Sequence, residues 1–462
     1  MRDPEKPSHA GRNALAVLIL LIVLVCGFAF SRGGAPQVTA AWPRAVGREA
    51  RLDLTVRSAL GVRAVRVFYR QKGRDIPVAA AGFGGRHWFF APPAQRELHL
   101  APTIGRARVA GLADGAAELV VVAQSANLRG SRLLLARPVE VRSIPPAIEV
   151  LSTQQYVRQG GAEMVTYRLV EPGGGGLEDV TSDVRLAGRL YPGYPVPGAA
   201  PGVMFCLFAF PYNAPADSVP QLVARDAAGN EASAGFPVQL FPGKFRTRTM
   251  AIDDAFISRV VVPIIANTPS LTDPVTPLQQ FLLVNRDLRR TDARLLAEAA
   301  GESVHQFLWH GAFLALAHAA VEADFADHRL YRYDGKIVDQ EDHLGYDLAV
   351  VRHTPVLAAN SGRVLWTHYF GIYGNAILID HGFGLMSLYA HLNDFVVKPG
   401  DVIARGQLIA HSDSTGLAGG DHLHFSMLLD GVQVNPMEWW DPHWVHDRIE
   451  AKLAAVGANP LP

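Results

Sequence analysis

The sequence predicts a multidomain, mainly β protein. It reads as an N-terminal transmembrane helix, two β-sandwich domains, a short helical segment and a strand-rich C-terminal domain. Three observations predict this. A chain of 462 residues is too long for one compact core. One uninterrupted apolar run lies near the start. Short period-two runs broken by turn residues fill most of the rest, with helical periodicity in one stretch between them. The expected boundaries are a cytoplasmic N-terminus at 1–12, an anchor at 13–31, β-sandwiches at 42–144 and 145–245, a helical linker at 246–310, a C-terminal domain at 311–447 and a tail at 448–462.

Ala14 to Phe30 (ALAVLILLIVLVCGFAF) is a run of 17 residues without a charge, the lower limit for a helix that crosses a hydrocarbon core. Arg2, Lys6 and Arg12 precede it, which favours a cytoplasmic N-terminus. A cleaved signal peptide is the rival reading, with Val38-Thr-Ala40 as its cleavage site. That site lies far beyond the apolar run, so an uncleaved single-pass anchor in the inner (cytoplasmic) membrane is the expectation. Leu24-Val25 before Cys26 lacks the small residue that lipidation would need. Either way, the bulk of the chain is exported to the periplasm or beyond.

Lys+Arg and Asp+Glu both total 43, so no global field steers the chain to nucleic acid, whose binding draws on basic charge. Cys26 and Cys206 are the two cysteines, and Cys26 lies in the apolar run. No disulfide framework can form in the exported part. In an oxidising compartment that means domains large enough to fold without staples.

Between Trp42 and Ile144, runs such as Arg51-Leu-Asp-Leu-Thr-Val56, Ala64-Val-Arg-Val-Phe-Tyr69 and Glu118-Leu-Val-Val-Val-Ala123 read as strands. Their spacing suggests a sandwich. Pro145-Pro146 reads as a linker. A second β-rich segment follows to Phe241, with a strand at Glu163–Val170 and a loop at Gly173–Gly176. Its Asp226-Ala-Ala-Gly-Asn230 turn before a last strand resembles that of bacterial immunoglobulin-like domains. A rigid spacer is the plain reading of both segments, and binding to cell wall or a protein partner is the alternative.

Thr276-Pro277 is a good helix start, a capping hydroxyl followed by proline at the first helical position. A second helix is expected from Thr291, ended by Gly301. Such a hairpin could pack beside the C-terminal domain or act as an inhibitory lid.

The chemistry concentrates in four fragments: His343-Leu-Gly-Tyr-Asp347, Gly371-Ile-Tyr-Gly-Asn375, Tyr389-Ala-His391-Leu392 and Asp421-His422-Leu-His424-Phe425. A zinc peptidase needs three protein ligands and an open fourth position, and without cysteine these are imidazole and carboxylate. His343, Asp347 and one histidine of the 422/424 pair are the natural set. Gly345 and Leu348–Val351 suggest a turn entering a strand between the first two. His422 and His424, two apart on a strand, share one face. One can hold metal while the other faces the same cavity. With 17 histidines in the chain, a His-x-His pair alone is near chance, and the order of fragments carries the argument.

In that order, with Ile379-Asp-His-Gly382, Gly406-Gln-Leu-Ile409 and Asn435-Pro436, residues 312 to 440 resemble the lysostaphin/LytM-type zinc endopeptidases of bacterial cell walls. The resemblance implies a compact antiparallel β-sheet groove and a Zn2+ cofactor. It implies His343, Asp347 and His424 as metal ligands. His391 and His422 would be metal-free active-site histidines, one acting on water and the other on the tetrahedral oxyanion. Tyr346 and Asn375 are expected to line the substrate groove. Two positions depart from the family pattern: Asp421 stands where many relatives have proline, and Ser426 where glutamate is frequent. Neither is a ligand in the family. Asp421 reads as a loop residue or as an orienting carboxylate.

The leading expectation is a membrane-anchored zinc metalloendopeptidase that hydrolyses peptide cross-links of peptidoglycan in cell-wall remodelling. The alternative is a non-catalytic LytM-type regulator or scaffold that activates a cell-wall amidase. All five site positions are intact, which a scaffold would not need. His381 reads as a hairpin residue, and Trp439, Trp440 and Trp444 as packing.

Overall fold

The computed structural model describes residues 9–83, 95–172, 176–272 and 274–461. The Arg2 and Lys6 charges, and the Gly173–Gly176 loop up to its last residue, lie outside the described residues. Helix α1 (His9–Ser31) contains one stretch, Gly11–Ser31, long and apolar enough to cross a membrane. Its large side chains, Leu15 to Val25 and Phe28, are exposed.

The described residues form two compact units. The first comprises Met1–Pro146 with Glu171–Val180 and Arg225–Ala232. It contains a five-stranded sheet, in the order Ala45–Val46, Arg132–Val141, Gly115–Ser125, Val62–Gln71 and Arg74–Gly82. A three-stranded sheet joins Gln37–Ala40, Leu54–Arg57 and Glu97–Leu100. Period-two patterning explains why both share one apolar cluster. Val65, Val67 and Tyr69 are buried while Arg66 among them and Arg70 just after them are exposed, and Leu54 and Val56 join the buried set from the smaller sheet. The Tyr69 hydroxyl, carried into this core, donates to the Ile104 carbonyl at 2.7 Å.

The second unit takes Ala147–Val170, Thr181–Ala224 and Ser233–Pro462. Most of the second β-rich segment thus belongs to the same compact body as the C-terminal region. The physical reason is a set of contacts between residues far apart in sequence. Strand Val203–Ala209 is buried at every position because it is covered on both faces. Its Phe205 meets Phe307 at 5.3 Å and Phe383 at 5.0 Å between ring centroids. Buried Glu163 pairs with Lys452 Nζ at 2.7 Å, and Glu438 accepts from the Ala162 amide at 2.8 Å.

Strand β1 (Thr247–Ala251) leads into the helical segment. Thr276 caps α2 (Pro277–Leu282) by accepting from the Gln279 amide. A π-helical stretch, Leu283–Leu288, then joins α2 to α3 (Arg289–Ala299) without a break. The separate helix expected from Thr291 is instead the continuation of the first, since no Gly or Pro interrupts the chain between them. Its buried face carries Phe281, Val284, Leu288, Leu296 and Ala299.

Further along the unit come β2 (Ala320–Ala323), β3 (Asp327–Tyr333), β4 (Lys336–His343), β5 (Tyr346–Ala349), β6 (Gly362–Tyr369), β7 (Asn375–Gly382), β8 (Leu385–Ala390), β9 (Val402–Ile403), β10 (His422–Leu429) and β11 (Val432–Val434), with Pro355–Leu357 and Leu408–His411 as a separate antiparallel pair. The main sheet runs β2-β5-β10-β8-β7-β6-β9, with β11 on β10, and its pairings are antiparallel. A smaller sheet runs β1-β3-β4, with β1 parallel to β3. Apart from half-buried Asn375 at the start of β7, the residues of β7, β8 and β10 form a buried layer that seats the site at its edge.

Candidate metal centre

Four segments bring five side chains together. His343 ends β4 and Asp347 lies on β5, joined by the short link Leu344–Gly345. A side chain at Gly345 would collide with the His424 ring and Ser426 Oγ, so the link must be bare there. Register puts Asp347 opposite His424, and His424 opposite Ala390 beside His391. Strand alternation then turns His422 and His424 to one face while Leu423 and Phe425 enter the core. Phe425 packs on Tyr389 at 5.2 Å and Trp440 at 5.5 Å.

His343, Asp347 and His424 are all buried, and each offers one ligand atom to a common centre. His343 Nε2 is 2.9 Å from Asp347 Oδ1 and 3.0 Å from His424 Nδ1, and His424 Nδ1 is 2.9 Å from the same oxygen. Outer partners fix the tautomers. His343 Nδ1 donates to the Asp324 carbonyl at 3.0 Å. His424 Nε2 donates to Ser426 Oγ at 2.9 Å, which itself donates to the Leu344 carbonyl at 2.7 Å. The three converging atoms are therefore all acceptors, with no proton of their own to share. Only a cation or an added proton satisfies such a triangle. Tetrahedral zinc with ligands near 2.0–2.1 Å would hold them about 3.3 Å apart, close to the spacing found. The donor set fits zinc.

The other two histidines are set by carbonyls. His391 Nδ1 donates to the Thr415 carbonyl at 2.6 Å and His422 Nδ1 to the Gly420 carbonyl at 2.8 Å. His391 adopts a left-handed backbone, φ 59°, a strained state for a residue with Cβ that persists where the surroundings enforce it. Its ring lies 4.7 Å from that of His422 and 5.8 Å from that of His424. Burial, then the neighbouring His422 and His424, hold the His391 imidazole well below its usual range. Burial lowers His424 to about 4. Asp347 stays well below the ordinary carboxylate range because the histidines, His343 foremost, outweigh the opposing effect of burial.

A cavity of about 320 Å³ opens over the five. Tyr373 and Gln433 form part of its wall, and the helical segment supplies Phe281, Arg289 and Ala293. The Asp292 carboxylate on α3 accepts from the Ile372 amide at 2.9 Å, and burial pushes it up to about 7. Gly371, at φ 48°, leaves no room there for a Cβ.

Tyr346 and Asn375 are placed away from this cavity wall. Tyr346 is buried and packs on Trp440 at 5.2 Å. Asn375 reaches the Asn393 carbonyl through its amide at 3.4 Å. Asp421 is half-buried on the loop before β10, and backbone carbonyls rather than this carboxylate orient the free histidines. Sequence reasoning missed the roles of Ser426, Tyr373, Gln433 and the Thr415 and Gly420 carbonyls. Two of them left a signal: Tyr373 within the Gly371–Asn375 fragment, and Ser426 as a departure two residues after His424 on the same strand face.

Residues 341–436 match peptidase family M23. Over 118 residues the chain is 34% identical to the peptidoglycan DD-endopeptidase ShyA of Vibrio cholerae, which is 26% of this chain and 27% of that protein. Over 95 residues it is 40% identical to the DD-carboxypeptidase/endopeptidase Mpg of Neisseria meningitidis, covering 21% and 22%. The catalytic domain of lysostaphin from Staphylococcus simulans is similar over 31% of this chain and 96% of that one, at 24% identity and a TM-score of 0.21. The likeness spans about a quarter of the length of these curated relatives.

Proposed function

With residues 341–436 a domain of peptidase family M23, we propose that the chain is a membrane-anchored zinc metalloendopeptidase that hydrolyses peptide cross-links of peptidoglycan. One observation carries the reading. Three acceptor atoms converge within 3.0 Å of one another, and two more histidines, each with its Nδ1 proton committed to a carbonyl, stand beside them.

In this reading His343, Asp347 and His424 hold zinc. When bound, zinc supplies Lewis-acid polarisation of a carbonyl and of water near neutral pH. His391 and His422 do the proton work. With Nδ1 donating outward, each keeps Nε2 as the atom that accepts a proton and, once protonated, donates to a developing oxyanion. General acid–base help of this kind contributes about 10²–10⁴-fold. Buried surroundings strengthen it, because water is kept from competing. Asn375 is proposed as a substrate contact at the groove margin, and Tyr346 as support beneath the ligand strand.

The remaining expectations complete the proposal. α1 is an uncleaved anchor in the inner membrane, with the catalytic domain in the periplasm or outside the cell. The strands of residues 42–144 and 145–245 are immunoglobulin-like sandwiches serving as spacers, residues 246–310 link them to a peptidase domain at 311–447, and a protein partner is expected to use the β-domains. The relative named as a peptidoglycan DD-endopeptidase supports peptidoglycan as the substrate.

The test incubates the full chain, in detergent, with isolated peptidoglycan. Loss of cross-linked muropeptide dimers, blocked by a chelator, is the expected result. A zinc-loaded chain that leaves every muropeptide intact would favour the regulator instead.

A further inference from the structure

Asp347 is anchored from outside the segment that matches the family. Its Oδ1 faces His343 Nε2 and His424 Nδ1, each at 2.9 Å. Its other oxygen, Oδ2, accepts from Arg329 Nη2 at 2.7 Å. Arg329 lies on β3, in the smaller sheet, where it stands opposite Arg248 on β1 and Glu341 on β4. The Asp347 and Arg329 side chains retain 10% and 19% of their exposure, so this is an ion pair largely withdrawn from water.

Stability alone does not account for such a pair. Desolvating both charges costs roughly what their attraction returns, and an apolar pair of similar volume is often as good. What the guanidinium adds is orientation. A carboxylate rotates broadly about its last torsion and would otherwise present either oxygen. A charge-assisted bond on Oδ2 removes that freedom and keeps the group ionised.

We infer that Arg329 is a positioning residue for the metal site, anchoring Oδ2 of Asp347 so that Oδ1 is presented to zinc. The inference rests on the reading that this cluster holds zinc. Outer partners of metal ligands are commonly worth about 10–100-fold in affinity.

The experiment measures zinc affinity of the full chain by competition with a chromophoric chelator, with circular dichroism of the metal-free protein as the check on folding. Arg329→Met and Arg329→Gln are expected to bind zinc about 10–100-fold more weakly than wild type, and Arg329→Lys to recover part of the loss. Arg332→Gln, on the same strand but exposed, is expected to match wild type. If Arg329→Met does not fold, Arg329→Gln decides. Folded Arg329 variants with wild-type zinc affinity would overturn the inference. A wild-type chain that takes up no zinc would overturn the metal reading itself, and this inference with it.

Discussion

The Thr415 carbonyl accepts the Nδ1 proton of His391 at 2.6 Å, and this bond decides which nitrogen of His391 faces the cavity. A residue held at φ 59° and buried against His422 is costly to keep unless its placement matters. His391→Ala is therefore expected to lower kcat/KM by about 10²–10⁴-fold while zinc content stays at the wild-type level. Atomic absorption on the same sample that is assayed separates lost chemistry from lost metal. Full activity in this variant would remove His391 from the mechanism.

Three acceptors aimed at one point repel one another without a cation. Removing zinc should therefore lower thermal stability as well as activity. At a free zinc concentration about 1,000 times the dissociation constant, binding contributes about 4 kcal/mol. Calorimetry with zinc and with chelator checks this, and readdition of zinc should restore both properties. An identical Tm in the two conditions would contradict the arrangement.

Asp292 ties α3 to the turn that carries Tyr373. Asp292→Ala leaves the buried Ile372 amide without its partner, at a cost of about 1–3 kcal/mol. A shift in the urea midpoint with unchanged slope is the expected outcome. An unshifted midpoint would mean that the helical segment does not hold this turn.

Glu438 gives a pH dependence whose sign can be worked out. Burial, reinforced by Glu163, pushes its carboxyl up to about 8, against the pull of the Ala162 amide, Arg158 and Arg448; Lys452 faces the same pocket through Glu163. In the unfolded chain the value is about 4.3. The folded state therefore keeps a proton that the unfolded state releases between these values. Its contribution is complete below the lower value and is lost as pH rises through the higher one, with a slope approaching about 1.4 kcal/mol per pH unit. Urea unfolding across this range should show a steeper decline in wild type than in Glu438→Gln. Parallel curves would refute it.

The five candidate site residues were named from residue type and from the resemblance carried by their order, and the structure brings them together at one cavity. Their supports were not legible in the sequence. The Thr415 and Gly420 carbonyls belong to the backbone, so no residue type announces them. Arg329 is one arginine in a charged strand, and only the pairing of β3 with β4 brings it to Asp347. The apolar run of α1 was plain from composition. The union of the second β-rich segment with the C-terminal region was hidden, since it depends on Phe205, Phe307 and Phe383 meeting across long stretches of chain. Tyr346, adjacent in sequence to Asp347, packs on Trp440. On a strand, the next residue points the other way.

The central claim is tested most directly on a single purified muropeptide dimer, with wild type and His391→Ala brought to the same measured zinc content and products identified by mass spectrometry. The account predicts that wild type splits the dimer at a peptide bond of the cross-link and that His391→Ala leaves it whole. An uncut dimer with zinc-loaded wild type, or equal cleavage by both proteins, would contradict it.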